Sequence, residues 1–445
     1  MTQAPPTPKT GPGRHDREIL ALAVPAFGAL VAEPLFVMVD SAIVGHLGTP
    51  QLAGLGVAAA LLTTGVSVFV FLAYATTAAV ARRVGAGDLQ AAIRQGMDGI
   101  WLALLLGAGV VAFLLATAPW LVAAFGTSDT ATPHALTYLR ISALGVPAML
   151  VILAATGVLR GLQDTRTPLY VAVGGFAANA ALNVALVYGA GLGIAGSAWG
   201  TVAAQWGMAA AYLFVVVRGA RKHDASLRPD AAGIRACAQA GVPLLVRTLS
   251  LRAVLMIATA VAARLGDADI AAHQILLSLW SLLAFALDAI AIAGQAIIGR
   301  YLGAGDTEGA RAVGRRMVRW GIVSGLVLGL LVIVTRPLFI PLFTSDPAVE
   351  AALLPALLVV AVSQPVSGIV FVLDGVLMGA GDGPYLAGAM LVTLAVFTPA
   401  ALLVPALGGG LTALWWAMTL MMLVRMVTLQ LRARSGRWLV TGATR

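Results

Sequence analysis

The residues best suited to chemistry stand in one unusually apolar stretch, Val31-Ala-Glu-Pro-Leu-Phe-Val-Met-Val-Asp-Ser-Ala-Ile-Val-Gly-His-Leu-Gly, which carries Glu33 and Asp40. Seven residues of helix put both carboxyls on nearly one face, about 10 Å apart along the axis. Apolar surroundings disfavour the charged form of a carboxylate, so such an acid can take up and release a proton as its access to water changes. Asp40 is the candidate proton site, and Glu33 the candidate lining of an adjacent cavity. Pro25 and Pro34 each remove a helical hydrogen bond and mark the same stretch as a hinge. Asn179 and Asn183, four residues apart and on one face, can hydrogen-bond the Asp40 carboxyl. In the second half Asp288 and Asp374 are the deepest acids, and Gln295 lies two turns beyond Asp288. They are candidates for a second ion or substrate site, the alternative being ion pairs with Arg247 or Arg252.

Other chemistry is missing. The two lysines, Lys9 and Lys222, are in no phosphate-binding loop of the Gly-x4-Gly-Lys-Ser/Thr kind. No His-Glu-x-x-His or Gly-x-Ser-x-Gly occurs, the five histidines are scattered, and Cys237 is the only cysteine. The expectation is therefore no enzyme, no metal site, no cofactor and no nucleic-acid partner. Any uphill work must draw on an ion gradient through ionisable groups inside the spans.

The elements that hold these groups follow from composition. Of 445 residues 60% are apolar and 11% charged, against about 25% charged in soluble domains. Twelve apolar stretches, near 18–44, 52–80, 92–120, 134–159, 168–190, 194–217, 236–263, 270–298, 312–335, 350–378, 385–406 and 409–431, read as membrane-spanning helices. Of the 28 Lys and Arg, 22 fall on the two ends and on alternate loops, which predicts that both termini and the middle loop are cytoplasmic. Pro25 and Pro243, Leu47-Gly48 and Leu265-Gly266, Gly85-Ala-Gly-Asp88 and Gly303-Ala-Gly-Asp306, Phe125 and Phe343, and Gly161 and Gly379 all repeat at an offset of 218. Six spans per repeat give both halves the same orientation, around a pseudo-two-fold axis along the membrane normal. The expected fold is all-α, with a tail at 1–17, a six-helix bundle at 18–217, a linker at 218–235, a second bundle at 236–431 and a tail at 432–445. Counting 218 on from Asp40 and Asn183 reaches Ala258 and Ala401, so proton chemistry is expected to be asymmetric between the bundles. Met38, Met418, Met421 and Met422 fit ordinary helix packing better than an adaptable ligand wall.

Pro25 with Asp40-Ser-x-x-Val-Gly-x-Leu-Gly, the paired Gly-Ala-Gly-Asp loops, Arg160-Gly-Leu-Gln-Asp-Thr165, Asn179-x-x-x-Asn183 and Asp288-x5-Gly294-Gln295 together resemble the multidrug and toxic compound extrusion (MATE) transporters, the DinF-like branch above all. The likeness runs over about residues 18–430. It implies cation-coupled antiport by a V-shaped pair of six-helix bundles in the cell membrane. It also implies that Asp40 is a protonation site linked to bending of the first span near Pro25. Glu33, Asn179 and Asn183 would surround the cavity of the first bundle, and Asp374 would act in the second. Some relatives have an acid where Asn183 stands, and Glu33 replaces an expected neutral side chain. The expected activity is export of amphipathic organic cations in exchange for protons, by a monomer in contact with membrane lipid. Sodium coupling with metabolite export, and flipping of lipids or lipid-linked saccharides, are the alternatives.

Overall fold

The computed structural model describes residues 12–444, without the side chains of Glu33 and a few others, so Lys9 and Arg445 lie outside the described residues. It is built of helices: α1 (Pro12–Gly45), α2 (Thr49–Ser67), α3 (Phe71–Gly85), α4 (Leu89–Ala124), α5 (Thr132–Ala143), α6 (Val146–Gly161), α7 (Arg166–Val184), α8 (Gly193–Lys222), α9 (Ala231–Leu265), α10 (Asp267–Gly303), α11 (Thr307–Phe343), α12 (Pro347–Gly379), α13 (Gly383–Ala406) and α14 (Leu411–Ser435). A single 3-10 turn, Val68–Val70, joins α2 to α3. Ten segments are long and apolar enough to cross a membrane, and α5 with α6, bent by 47°, makes an eleventh. The twelfth unit is α1, whose 34 residues reach about 50 Å.

Several helices outrun the apolar stretches that announce them. The stretch 312–335 lies within a 37-residue helix, α11, because charged side chains such as Arg311 and Arg336 end a hydropathy signal without ending a helix. The first helix begins at Pro12, inside the expected tail. Likewise the expected linker shortens to residues 223–230, since α8 continues to Lys222 and α9 starts at Ala231. Asp230 accepts from Ala232 N at 3.1 Å and caps α9. The linker lies on α4: Trp101 donates to the Leu227 carbonyl, Gln90 to the Asp224 carbonyl, and Arg94 pairs with Asp230.

The repeat extends to backbone conformation. Gly48 and Gly266 have φ of 136° and 140°, and Gly87 and Gly305 have φ of 81° and 79°. Such angles suit a residue without Cβ. Asp88 and Asp306 cap α4 and α11 through Ala91 N and Gly309 N, at 2.8 and 2.7 Å.

The halves meet at their basic ends, where the last turns of α3 and α10 touch. A Cβ on Gly85 would overlap the Arg300 carbonyl, and one on Gly303 would overlap the Arg82 carbonyl. The arginines cross in the same reciprocal way: Arg82 Nη1 donates to the Ala380 carbonyl at 3.0 Å, and Arg300 Nη1 to Gln163 Oε1 at 2.6 Å. Glu18 of α1 pairs with Arg300, and Asp16 with Arg316. Farther along, Ala26 of α1 packs on Ala289 and Ile292 of α10.

Backbone cannot yield as a flexible side chain can, so Gly85→Val and Gly303→Val should each destabilise the protein by about 1–3 kcal/mol. Gly109→Ala, with no atom near its missing Cβ, should stay within about 0.5 kcal/mol of the parent. Thermal unfolding of the purified variants measures both, and equal behaviour of all three would contradict the α3–α10 contact.

Candidate functional site

Asp40 lies one turn from the end of α1, 7% exposed, where side chains from three other helices reach it. Its Oδ1 accepts from Asn183 Nδ2 of α7 at 2.7 Å and from Ser197 Oγ of α8 at 2.8 Å. Its Oδ2 accepts from Tyr138 OH of α5 at 3.2 Å. Behind this shell Asn183 Nδ2 also donates to Asn179 Oδ1 at 2.9 Å, and Asn179 Nδ2 to Thr201 Oγ1 at 3.1 Å. All these side chains are buried.

Local sequence explains the convergence. Asn179 and Asn183 share a face of α7 by their spacing of four. Beyond them a π-helical turn, Ala185–Gly189, and the left-handed Gly191 and Gly193 send the chain back into α8. Gly196 and Gly200 then let α8 lie against α7, for a Cβ at either would overlap the Leu186 carbonyl or the Asn183 amide. Ser197 and Thr201, each next to one of these glycines, thereby face the asparagines. On α1 itself, Tyr188 OH donates to the Ile43 carbonyl at 2.6 Å and fixes the turn after Asp40.

Three donors on one buried carboxylate offset its loss of hydration. The shell is complete for the charged form. A protonated Asp40 would need an acceptor instead, and the hydroxyls of Ser197 and Tyr138, which accept as well as donate, can serve. The arrangement can therefore hold a carboxyl in either state.

The other expected residues fall into a separate place. Pro25 and Pro34 lie within α1, which runs unbroken through both. Glu33 also lies in α1, its side chain outside the described residues. Asp374 Oδ2 accepts from both Arg247 and Arg425. Arg425 takes the place considered for Arg252, because five residues of helix carry Arg252 about 140° round α9 from Arg247. Two guanidinium groups on one carboxylate leave this cluster with an excess positive charge. Asp288 accepts from Tyr74 OH across the seam at 3.4 Å, and Gln295 Nε2 donates to the Tyr74 carbonyl at 2.5 Å. Met418, Met421 and Met422 are at most 2% exposed and belong to the packed core of the second half. Sequence reasoning missed Tyr138, Ser197, Thr201 and Tyr74. For Ser197 and Thr201 the signal was available in Gly196-Ser-x-x-Gly200-Thr201, a small-residue helix face opposite two asparagines.

The second half has no copy of this site. The positions 218 beyond Asp40, Asn179, Asn183 and Ser197 hold Ala258, Phe397, Ala401 and Trp415, all buried.

Comparison with known proteins adds to this geometry. The family model described as MatE matches twice, over residues 25–185 and 243–403, two windows offset by the same 218 residues. Protein DETOXIFICATION 44, chloroplastic, of Arabidopsis thaliana is 33% identical over 97% of this chain and 85% of its own length. DNA damage-inducible protein F of Escherichia coli K12 is 30% identical over 95% of this chain and 94% of its own. A crystal structure of the Vibrio cholerae MATE transporter VcmN superposes with a TM-score of 0.87 at 21% identity, covering 96% of this chain and 99% of that one.

Ser197→Ala removes one donor from the Asp40 carboxyl, so its effect should depend on whether residue 40 is Asp or Asn. In a double-mutant cycle of Ser197→Ala with Asp40→Asn, followed by thermal unfolding, the coupling should be about 0.6–2 kcal/mol. Strict additivity would mean that the hydroxyl does not serve the carboxyl.

Proposed function

The chain belongs to the MATE family of multidrug and toxic compound efflux transporters, and from that premise we propose that it exports amphipathic organic cations in exchange for protons by alternating access. Members of the family are transporters, not enzymes, and work from ion gradients. The observation that carries the reading is the buried carboxyl of Asp40, with three donors for its charged form, two of them hydroxyls that can also accept from its protonated form. The amide and hydroxyls around Asp40 turn their hydrogens toward its carboxylate, which suits a proton on that group better than a sodium ion, which would need their lone pairs turned inward. A cationic substrate fits the first bundle, where the acid is, better than the second, where Asp374 is covered by two arginines.

In this mechanism a proton entering from outside neutralises Asp40, which then donates to the hydroxyl of Ser197 or Tyr138. Loss of the carboxylate weakens the tie of α1 to α7 and α8. The two prolines of α1 make bending there inexpensive, since their missing hydrogen bonds are already absent. The state described is closed at the basic end by α3 and α10. By the distribution of Lys and Arg that end is cytoplasmic, with both termini and the loop around Arg221 on the same side.

Asp40→Asn keeps shape and hydrogen bonding but cannot titrate. In reconstituted vesicles with an imposed pH gradient it should insert normally and lose gradient-driven export of organic cations. Asn183→Ala should reduce export several-fold without abolishing it. Full pH-driven export by Asp40→Asn would sink the proposal and turn attention to Asp288. Separately, a reporter fused at residue 225 should register as cytoplasmic, and an external signal there would reverse the orientation.

A further inference from the structure

Past α14 the chain does not leave the protein. Gly436, with φ of 67°, ends the helix, and Trp438 turns inward to 4% exposure, its Nε1 donating to the Ala433 carbonyl at 2.9 Å. The segment then crosses the seam between the bundles. Arg82 of α3, itself 2% exposed, donates to the Val440 carbonyl at 2.5 Å and to the Gly442 carbonyl at 3.2 Å. Gly442 N donates to the Leu302 carbonyl of α10 at 3.1 Å. Three atoms of two residues thus join the tail to both halves where α3 and α10 touch. Beyond, Ala443 and Thr444 enter a cavity of about 760 Å³ lined by Gln95 of the first bundle and by Pro243 and Tyr385 of the second.

We propose that residues 436–444 form a strap that holds the bundles together at their basic end and must detach before that end opens. Separating α3 from α10 while the tail stays docked is not possible, because Arg82 moves with one bundle and Leu302 with the other. Detachment leaves a buried guanidinium short of two acceptors, which favours the closed state. The first half has no equivalent. The positions 218 before Val440 and Gly442 are Lys222, the last residue of α8, and Asp224, in the linker that lies on α4 of its own bundle. The strap therefore acts at one seam only and biases one of the two access states. This inference rests on the alternating-access reading, but its test does not require transport.

The test is hydrogen–deuterium exchange of the full-length protein in lipid nanodiscs, compared with a variant lacking 436–445 and with full-length Gly442→Pro. Proline removes the N–H that bonds Leu302 and cannot adopt the φ of 112° found at Gly442. Peptides spanning 78–87 and 298–307 should exchange about ten-fold faster in the deletion, the effect of losing one or two net hydrogen bonds. Gly442→Pro should move the same peptides in the same direction, and it carries the test if the deletion does not insert. Unchanged exchange in both peptides would overturn the strap. So would a rise spread equally over α7 and α8, which would be general loosening. Normal export by Asp40→Asn would defeat the coupling mechanism and leave the exchange result standing, so the two failures are distinguishable.

Discussion

A carboxyl buried beneath apolar helices must be given hydrogen bonds by the protein, and much of the first bundle follows from supplying them to Asp40. Burial without donors costs several kcal/mol. The donors come from α5, α7 and α8, so these helices must approach the end of α1 closely. The glycines at 196 and 200 permit that approach, and the π-helical turn after Asn183 sets the direction in which the chain returns. Rigidity here is a consequence of charge.

The same helix that carries Asp40 begins in the other half. Through Asp16 and Glu18 its first turns pair with Arg316 and Arg300, and through Ala26 it packs on α10. Its last turn belongs to the first bundle. α1 is thus a rod attached at one end to the seam and at the other to the donors around Asp40, with Pro25 and Pro34 between.

Much of this was legible in the sequence because it depends on periodicity and on single residues of strong conformational preference. Twelve apolar stretches and a repeat of 218 announce the fold, and the repeated glycines at 48, 87, 266 and 305 do adopt matching left-handed angles. Asp40, Asn179 and Asn183 stood out as polar groups in apolar helices, and the structure brings them together. Tyr138 did not, because a tyrosine in an amphipathic helix is an ordinary core residue until its hydroxyl has a partner. The reciprocal seam was also hidden. Gly85 and Gly303 read as loop glycines, and only the packing of α3 on α10 shows that each accommodates an arginine carbonyl of the other half. Charge signals misplace helix ends for a simpler reason: an arginine near the membrane surface ends a hydropathy window but not a hydrogen-bond ladder.

The absence of an Asp40-like site from the second half also bears on which substitutions that half can accept. Ala258, Phe397, Ala401 and Trp415 now fill the corresponding space with side chains that offer a carboxylate almost nothing, and Phe397 and Trp415 are too large to leave it room. A lone acid at 258 would be buried among hydrocarbon, and each donor added without the acid would be a stranded polar group. Every single step toward a second such site is therefore destabilising, although the completed set is accommodated in the other repeat. Two repeats of one backbone plan are thus held to different side-chain sets by packing alone.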